Sequence, residues 1–274
     1  MDMFKRTLMI VGTMLTLFRT ADAGGLIVGY TNVQAVGTYP QALMDRIAKF
    51  RFFFAHASVG KNMIQGLADL HQINPDYFRL KPVAAEATPP GATEPGNVYE
   101  FARGNPGWQA KVDDFAGYVK DGWHHPKADI ILNKFCFIDQ AADVDYYIRS
   151  MAELEAAFPD TIVVYMTMPL TTGTNRDAYQ RHAFNERLRE WIRSNNRVLF
   201  DIADIEAHDP DGAAQTFERQ GQVCQRLSRS YTEDDAHLDD TAGVGRRHVA
   251  KGFYALAAAL LDARGEAGAV SPTP

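Results

Sequence analysis

The feature that most constrains this chain is an alternation of short apolar runs with longer stretches whose apolar residues fall three and four apart. The runs are Phe52–Ala55, Ala128–Asp139 (ADIILNKFCFID), Thr161–Met168 (TIVVYMTM) and Arg197–Ile202 (RVLFDI). The second is apolar almost throughout, as a strand covered on both faces requires. Between the runs, Val59, Met63 and Leu67 mark one helical face after Ser58, and Trp108–Val119 follows an Asn-Pro-Gly turn. Asp143–Phe158 opens on a capping Asp. Arg176–Ser194 carries Phe184, Leu188, Trp191 and Ile192, and Val249, Phe253, Leu256 and Leu260 form a last stripe. Such spacing buries one helix face. Strands alternating with helices predict an α/β fold, a three-layer α/β/α sandwich around a mostly parallel sheet. Right-handed crossovers then bring the strand carboxyl ends to one edge, where ligands bind.

The ends read differently. MDMFKR is a short basic start, and TLMIVGTMLTLF is apolar for only 12 residues, too short to span a membrane comfortably. Ala21-Asp22-Ala23 follows with the small-x-small pattern of a cleavage site, so residues 1–23 are expected to be a signal peptide and the mature protein exported. One domain is expected over 24–265, with a Pro/Gly-rich loop insertion at 84–97 and a polar segment, 207–233, as a cap over the site. The tail 266–274 is expected to be disordered. No later stretch is long and apolar enough for a membrane span. The net charge of −6 argues against a nucleic-acid partner, which needs clustered Lys and Arg. The two cysteines, Cys136 and Cys224, show no CxxC or zinc spacing. Export permits a disulfide between them, but the apolar surroundings of Cys136 favour a small buried side chain.

The stretch RFFFAHASVGKNMIQGL raises the question of chemistry, because a strand ends there at a turn bearing His56, Ser58 and Lys61. A phosphate-binding loop needs G-x-x-x-x-G-K-[ST]. Here Ala55 stands at the first Gly and Asn62 at the hydroxyl, leaving Lys61 as a solvated helix charge. His56 is a metal ligand only with partners, and the eight histidines show no HxH or HxxxH spacing. It remains a residue that can line the site. Ser58 is half of a G-x-S-x-G elbow, with His56 in place of the first Gly. Taken alone it reads as a helix N-cap. A serine becomes a nucleophile only with a base and with donors for the oxyanion.

TEDDAHL, near the other end, supplies an Asp-x-x-His pair, Asp234 and His237. A carboxylate beside an imidazole fixes which ring nitrogen carries the proton and stabilises the cation. Taken in order, Ser58 after an aromatic strand, Gly107 in RGNPGW, Asn185 and Asp201 in FNERLREWIRSNNRVLFDI, and the closing block DDAHLDDTAGVGRRHVAKGFYALAAALL resemble the SGNH, or GDSL-like, hydrolase family over roughly residues 50–262. Two blocks depart from it. Ala55-His56-Ala57 replaces the usual Gly-Asp before the serine. The third block should end its strand on Gly-x-Asn, yet this strand ends KFCFID. Asn133 then lies too early to reach the edge if the strand runs to Asp139, and an Asp139 carboxylate there would repel an oxyanion.

The resemblance implies a flavodoxin-like sheet and a Ser-His-Asp ester hydrolase without cofactor or metal. Ser58 would be the nucleophile, His237 the base and Asp234 its orienter. The N–H groups of Ser58 and Gly107 would hold the oxyanion, with Asn105 replacing the missing Asn. His248 is a second imidazole in the closing helix, expected to be structural. The substrates implied are O-acyl esters, with acetylated carbohydrate, small or polymeric, the expected class. Trp108, Trp123 and Tyr99 are possible stacking surfaces. Two other readings remain: a glycan- or envelope-binding protein of the same fold without turnover, and a metal hydrolase using His237, Asp234 and Asp235.

Overall fold

The computed structural model describes residues 24–88, 93–121 and 128–265. The expected signal peptide, the tail, Trp123 and residues 89–92 of the Pro/Gly-rich loop lie outside them.

Seven strands form one sheet: β1 (Leu26–Val28), β2 (Phe52–His56), β3 (Lys81–Ala84), β4 (Asn97–Ala102), β5 (Ile130–Asn133), β6 (Ile162–Met166) and β7 (Val198–Phe200). Their order is β1-β7-β6-β5-β2-β4-β3, and every pair is parallel. The inner run β4-β2-β5-β6-β7 has the flavodoxin-like order, reversing direction between β2 and β5. The crevice at such a reversal is where doubly wound sheets place their ligands.

The helices are α1 (Tyr30–Ala35), α2 (Gln41–Ile47), α3 (Val59–Ile73), α4 (Trp108–Lys120), α5 (Val144–Ala157), α6 (Arg176–Asn195), α7 (Ile202–Glu206) and α8 (Val244–Ala263). β2 shows how they cover both faces. Phe52 and Phe54 join Leu43, Met63 and Phe253 of α2, α3 and α8, while Phe53 and Ala55 join Phe115, Met151 and Leu188 of α4, α5 and α6. All five β2 residues are buried, so the strand is apolar on both sides. This is the predicted three-layer α/β/α sandwich. No helix of the described residues is long and apolar enough to cross a membrane.

Helices α3 and α8 approach closely at Gly66, where an added methyl would collide with the Arg246 carbonyl and the Ala250 side chain. Gly66→Ala is therefore expected to destabilise the fold by about 1–3 kcal/mol, read as a lower urea midpoint at unchanged slope.

The expected strand Ala128–Asp139 stops at Asn133. Beyond it, the carbonyls of Lys134, Phe135 and Phe137 accept from the Arg103 guanidinium (2.5 Å), the Lys134 ammonium (2.7 Å) and the Arg181 guanidinium (2.9 Å). Bonds to side-chain cations replace the ladder, and an apolar pattern cannot reveal that. Thr161–Met168 likewise shortens to β6. Asp201 stands one residue past β7, as the cap of α7. Strands β1, β3 and β4 are too short or too polar for the period to mark. β3 carries Pro82, which an edge strand tolerates.

The segment 207–233 contains an antiparallel hairpin, β8 (Thr216–Arg219) and β9 (Gln222–Gln225), closed by Gln220 and Gly221, both at positive φ. It is anchored on α6, with Arg189 donating to Gln225 at 2.8 Å, and on the loop after β6, with Arg219 donating to the Thr174 carbonyl at 3.1 Å. Cys136 and Cys224 are both free and buried.

Candidate active site

Ser58 follows β2 directly and precedes the first residue of α3. Its backbone sits at φ 55°, ψ −117°, a conformation that costs a non-glycine residue about 1–3 kcal/mol. Its side chain does not cap α3. Gly60 keeps the turn tight, since a Cβ there would collide with the His56 side chain, which lies folded beneath it. The Ser58 hydroxyl is thus held at the N-terminal, electropositive end of a 15-residue helix. Its Oγ lies 2.6 Å from His237 Nε2, although 179 residues separate the two.

His237 comes from the loop before α8. Its Nδ1 lies 2.5 Å from Asp234 Oδ2. The other carboxylate oxygen of Asp234 accepts from the backbone N–H of His237 at 2.7 Å and of Ala236 at 2.9 Å. Partial burial works to raise the Asp234 carboxyl. The His237 backbone and ring bonds, the Ala236 N–H and the His237 charge outweigh it and hold the group down at about 2. The loop itself is clamped from three directions. Thr172, beyond β6, donates its N–H to the Asp235 carbonyl (3.0 Å) and its hydroxyl to the Asp235 carboxylate (2.5 Å). Asn62, on the first turn of α3, accepts from the Leu238 N–H at 3.3 Å. Asp240 accepts from Val244 and Gly245 at the start of α8. Phe137 packs edge-on against the imidazole, with ring centroids 5.3 Å apart.

Gly107 and Asn105 lie exposed on the loop that leaves β4, the parallel neighbour of β2, at the same sheet edge as Ser58. Gly107 is the residue before α4. Asn133 pairs in register with Ala55, is fully buried, accepts from Arg103 at 2.9 Å and donates to the Lys111 carbonyl at 3.3 Å. It supports the floor below the edge. Asp139 is turned inward, accepting from the Lys111 ammonium at 2.5 Å and the Cys136 N–H at 2.7 Å, so the expected repulsion at the edge does not arise.

The expected roles of His56 and Tyr99 are corrected, while Lys61 and His248 stand as expected. His56 does not line the site. It is 2% exposed, with its Nε2 2.7 Å from Glu100. Burial pushes its pKa down, with Glu100 opposing. Tyr99 is buried, its hydroxyl accepting from the Glu94 N–H and the Asn97 amide, and offers no stacking surface. Trp108 stands edge-on to Tyr146. Lys61 is an exposed residue of the first turn of α3. His248 stacks on Tyr231, and burial lowers its pKa to about 4, Lys251 and His208 adding to the shift. The Asp235 carboxylate is engaged by Thr172 and Arg229, and among the described residues no group of three His, Cys, Asp or Glu side chains is arranged to hold a metal.

Sequence reasoning missed the supports. Asn62, Thr172, Arg103 and Arg181 carry no spacing that marks them, since each acts on a segment far away in the chain. Asn185, noted on its helix, braces the loop after β6 by accepting from the Met168 N–H (2.7 Å) and donating to the Met168 carbonyl (2.9 Å).

No family model matches the chain, and no curated protein matches it. Among solved structures it is similar to a GDSL-like lipase of Bacteroides thetaiotaomicron, with 11% identity and a TM-score of 0.46 over 86% of this chain and 97% of that one. It is also similar to a candidate acylhydrolase of Bacteroides fragilis, with 12% identity and a TM-score of 0.45 over 79% of this chain and 89% of that one. These are likenesses of chain path, and they leave the chemistry to this chain's own side chains.

Proposed function

We propose that this chain is a serine ester hydrolase that acts outside the cytoplasm on O-acyl esters, with O-acetyl groups on carbohydrate as the substrate class. The observation that carries the reading is the relay from Ser58 Oγ through the His237 ring to the Asp234 carboxylate, with 2.6 Å and 2.5 Å between its members. Hydrogen bonds of that length are what a hydroxyl needs to pass its proton to a base as it attacks a carbonyl.

The chemistry runs in two halves. Ser58 Oγ attacks the acyl carbon and His237 Nε2 takes the hydroxyl proton. Asp234 stabilises the imidazolium, which then protonates the departing alcohol. Water, deprotonated by the same ring, then attacks the acyl carbon, and the Ser58 Oγ–C bond breaks as Oγ takes the proton back from His237 and the acid leaves. The carbonyl oxygen, negative in each tetrahedral intermediate, is held by the N–H groups of Ser58 and Gly107 and by the Asn105 side chain. No step calls for a metal or an organic cofactor.

The partly exposed Ser58 and His237 and the exposed Asn105 and Gly107 make an open, polar rim, which suits an acyl group carried on a larger molecule. Export rests on the basic start, the short apolar stretch and Ala21-Asp22-Ala23.

Acetate release from small acetyl esters and from acetylated polysaccharides by the full chain tests this reading. Turnover of both, faster on the glycan, is expected. Turnover of neither, with retained glycan binding, would favour the non-catalytic binder.

A further inference from the structure

Beneath the candidate site lie three buried cations, Lys111, Lys134 and Arg181, the half-buried Arg103, and two buried carboxylates, Asp139 and Glu206. Of these six, only Lys111 and Asp139 are paired with each other within ion-pair distance. The others meet neutral groups: the cations bond to carbonyls and to an Asn and a Thr oxygen, and Glu206 accepts from the Leu170 N–H.

Arg103 begins the loop that carries Asn105 and Gly107. It follows Ala102, which pairs with His56 at the end of β2. Its guanidinium donates to Asn133 Oδ1 at 2.9 Å and to the Lys134 carbonyl at 2.5 Å, both at the end of β5. β2 lies between β4 and β5. To bridge neighbours spaced about 4.8 Å on either side, the Arg103 side chain must cross the carboxyl end of β2, where the chain turns through Ala57 and Ser58. Its Nε is buried without a hydrogen-bond partner. Burial lowers its pKa to about 10, with Asp139 and Asp114 opposing, so it remains charged at neutral pH.

We propose that Arg103 ties the 103–107 loop to the end of β5 and keeps a positive charge beside the Ser58 turn, where it adds to the stabilisation of the oxyanion by the Ser58, Gly107 and Asn105 donors. The buried Asn133 points the same way: the side chain that could have donated at the edge is spent on Arg103 and α4. This inference rests on the ester-hydrolase reading.

The test compares the full chain with Arg103→Gln, Arg103→Met and Arg103→Lys, each checked for cooperative thermal unfolding. The readouts are kcat and KM for p-nitrophenyl acetate and the affinity for a trifluoromethyl ketone. Ser58 adds to that ketone, forming the Oγ–C bond while the carbonyl electrons move to oxygen and the hydroxyl proton to His237. Arg103→Gln, or the methionine variant if glutamine unfolds the chain, should lower kcat roughly 10- to 100-fold with KM within about twofold. Ketone affinity should fall by the same factor, and Arg103→Lys should recover to within about fivefold of wild type. Wild-type kcat in the neutral variants would overturn the proposal, as would an equal loss in all three. A wild type that turns over no ester would overturn the hydrolase reading itself, and this inference with it.

Discussion

Ser58→Ala is expected to lower kcat for a small acetyl ester by about 10⁴-fold or more and to leave the fold intact. The magnitude follows from what the hydroxyl does: without it His237 has no proton to take and the acyl group nowhere to go, so only water attack assisted by the oxyanion donors remains. The fold should survive because the Ser58 side chain does not cap α3, and its hydroxyl meets the His237 ring instead. Thermal unfolding should change by less than about 1 kcal/mol, in the range of a partly exposed substitution. Activity of Ser58→Ala equal to wild type would remove the hydroxyl from the mechanism.

Asp234→Asn should lower kcat by about 10²- to 10³-fold with KM little changed. The carboxylate accepts from His237 Nδ1–H, which leaves Nε2 bare to receive the Ser58 proton. An amide that turns its NH2 toward Nδ1 reverses the tautomer and puts a proton on Nε2, where it blocks the transfer. Loss of a fully buried orienter costs about 10⁴. The Asp234 side chain is 46% exposed, so water screens part of its charge and the expected loss is smaller. The sign of the pH dependence follows from the depressed carboxyl. Its contribution to stability is present above the ordinary carboxylate range and is lost as pH falls through about 2. Asp234 therefore stays ionised across the neutral range, and its titration should leave no inflection in the wild-type rate profile above pH 5. An Asp234 carboxyl observed directly by NMR to titrate above pH 5 would contradict the assignment.

The layers of the fold are legible because burial writes a period into the chain. β2, β6 and β7 and all the long helices carry it. The end of β5 is not, because KFCFID is as apolar as the strand before it. What stops the ladder is a set of cations delivered by residues 103, 134 and 181, and no local pattern carries that information. The error propagates: with the strand extended to Asp139, Asn133 is misplaced relative to the edge and Asp139 looks exposed there.

The candidate site shows the same division. Asp-x-x-His is a local signal, and its two members meet within one loop. The reach from Ser58 to His237 depends on α3 and α8 packing at Gly66, on Asn62 holding Leu238 and on Thr172 holding Asp235. Those contacts join parts of the chain that share no spacing. His56 reads as a residue of the edge because it ends a strand. The side-chain alternation of β2 instead sends it under Gly60 and onto Glu100.

The most direct measurement is mass spectrometry of the full chain after exposure to a fluorophosphonate, which reacts with a serine only when a base activates it. The account predicts one covalent adduct, on Ser58, formed at a rate that collapses in His237→Ala. An unmodified Ser58, or an adduct that forms equally fast without the imidazole, would contradict it.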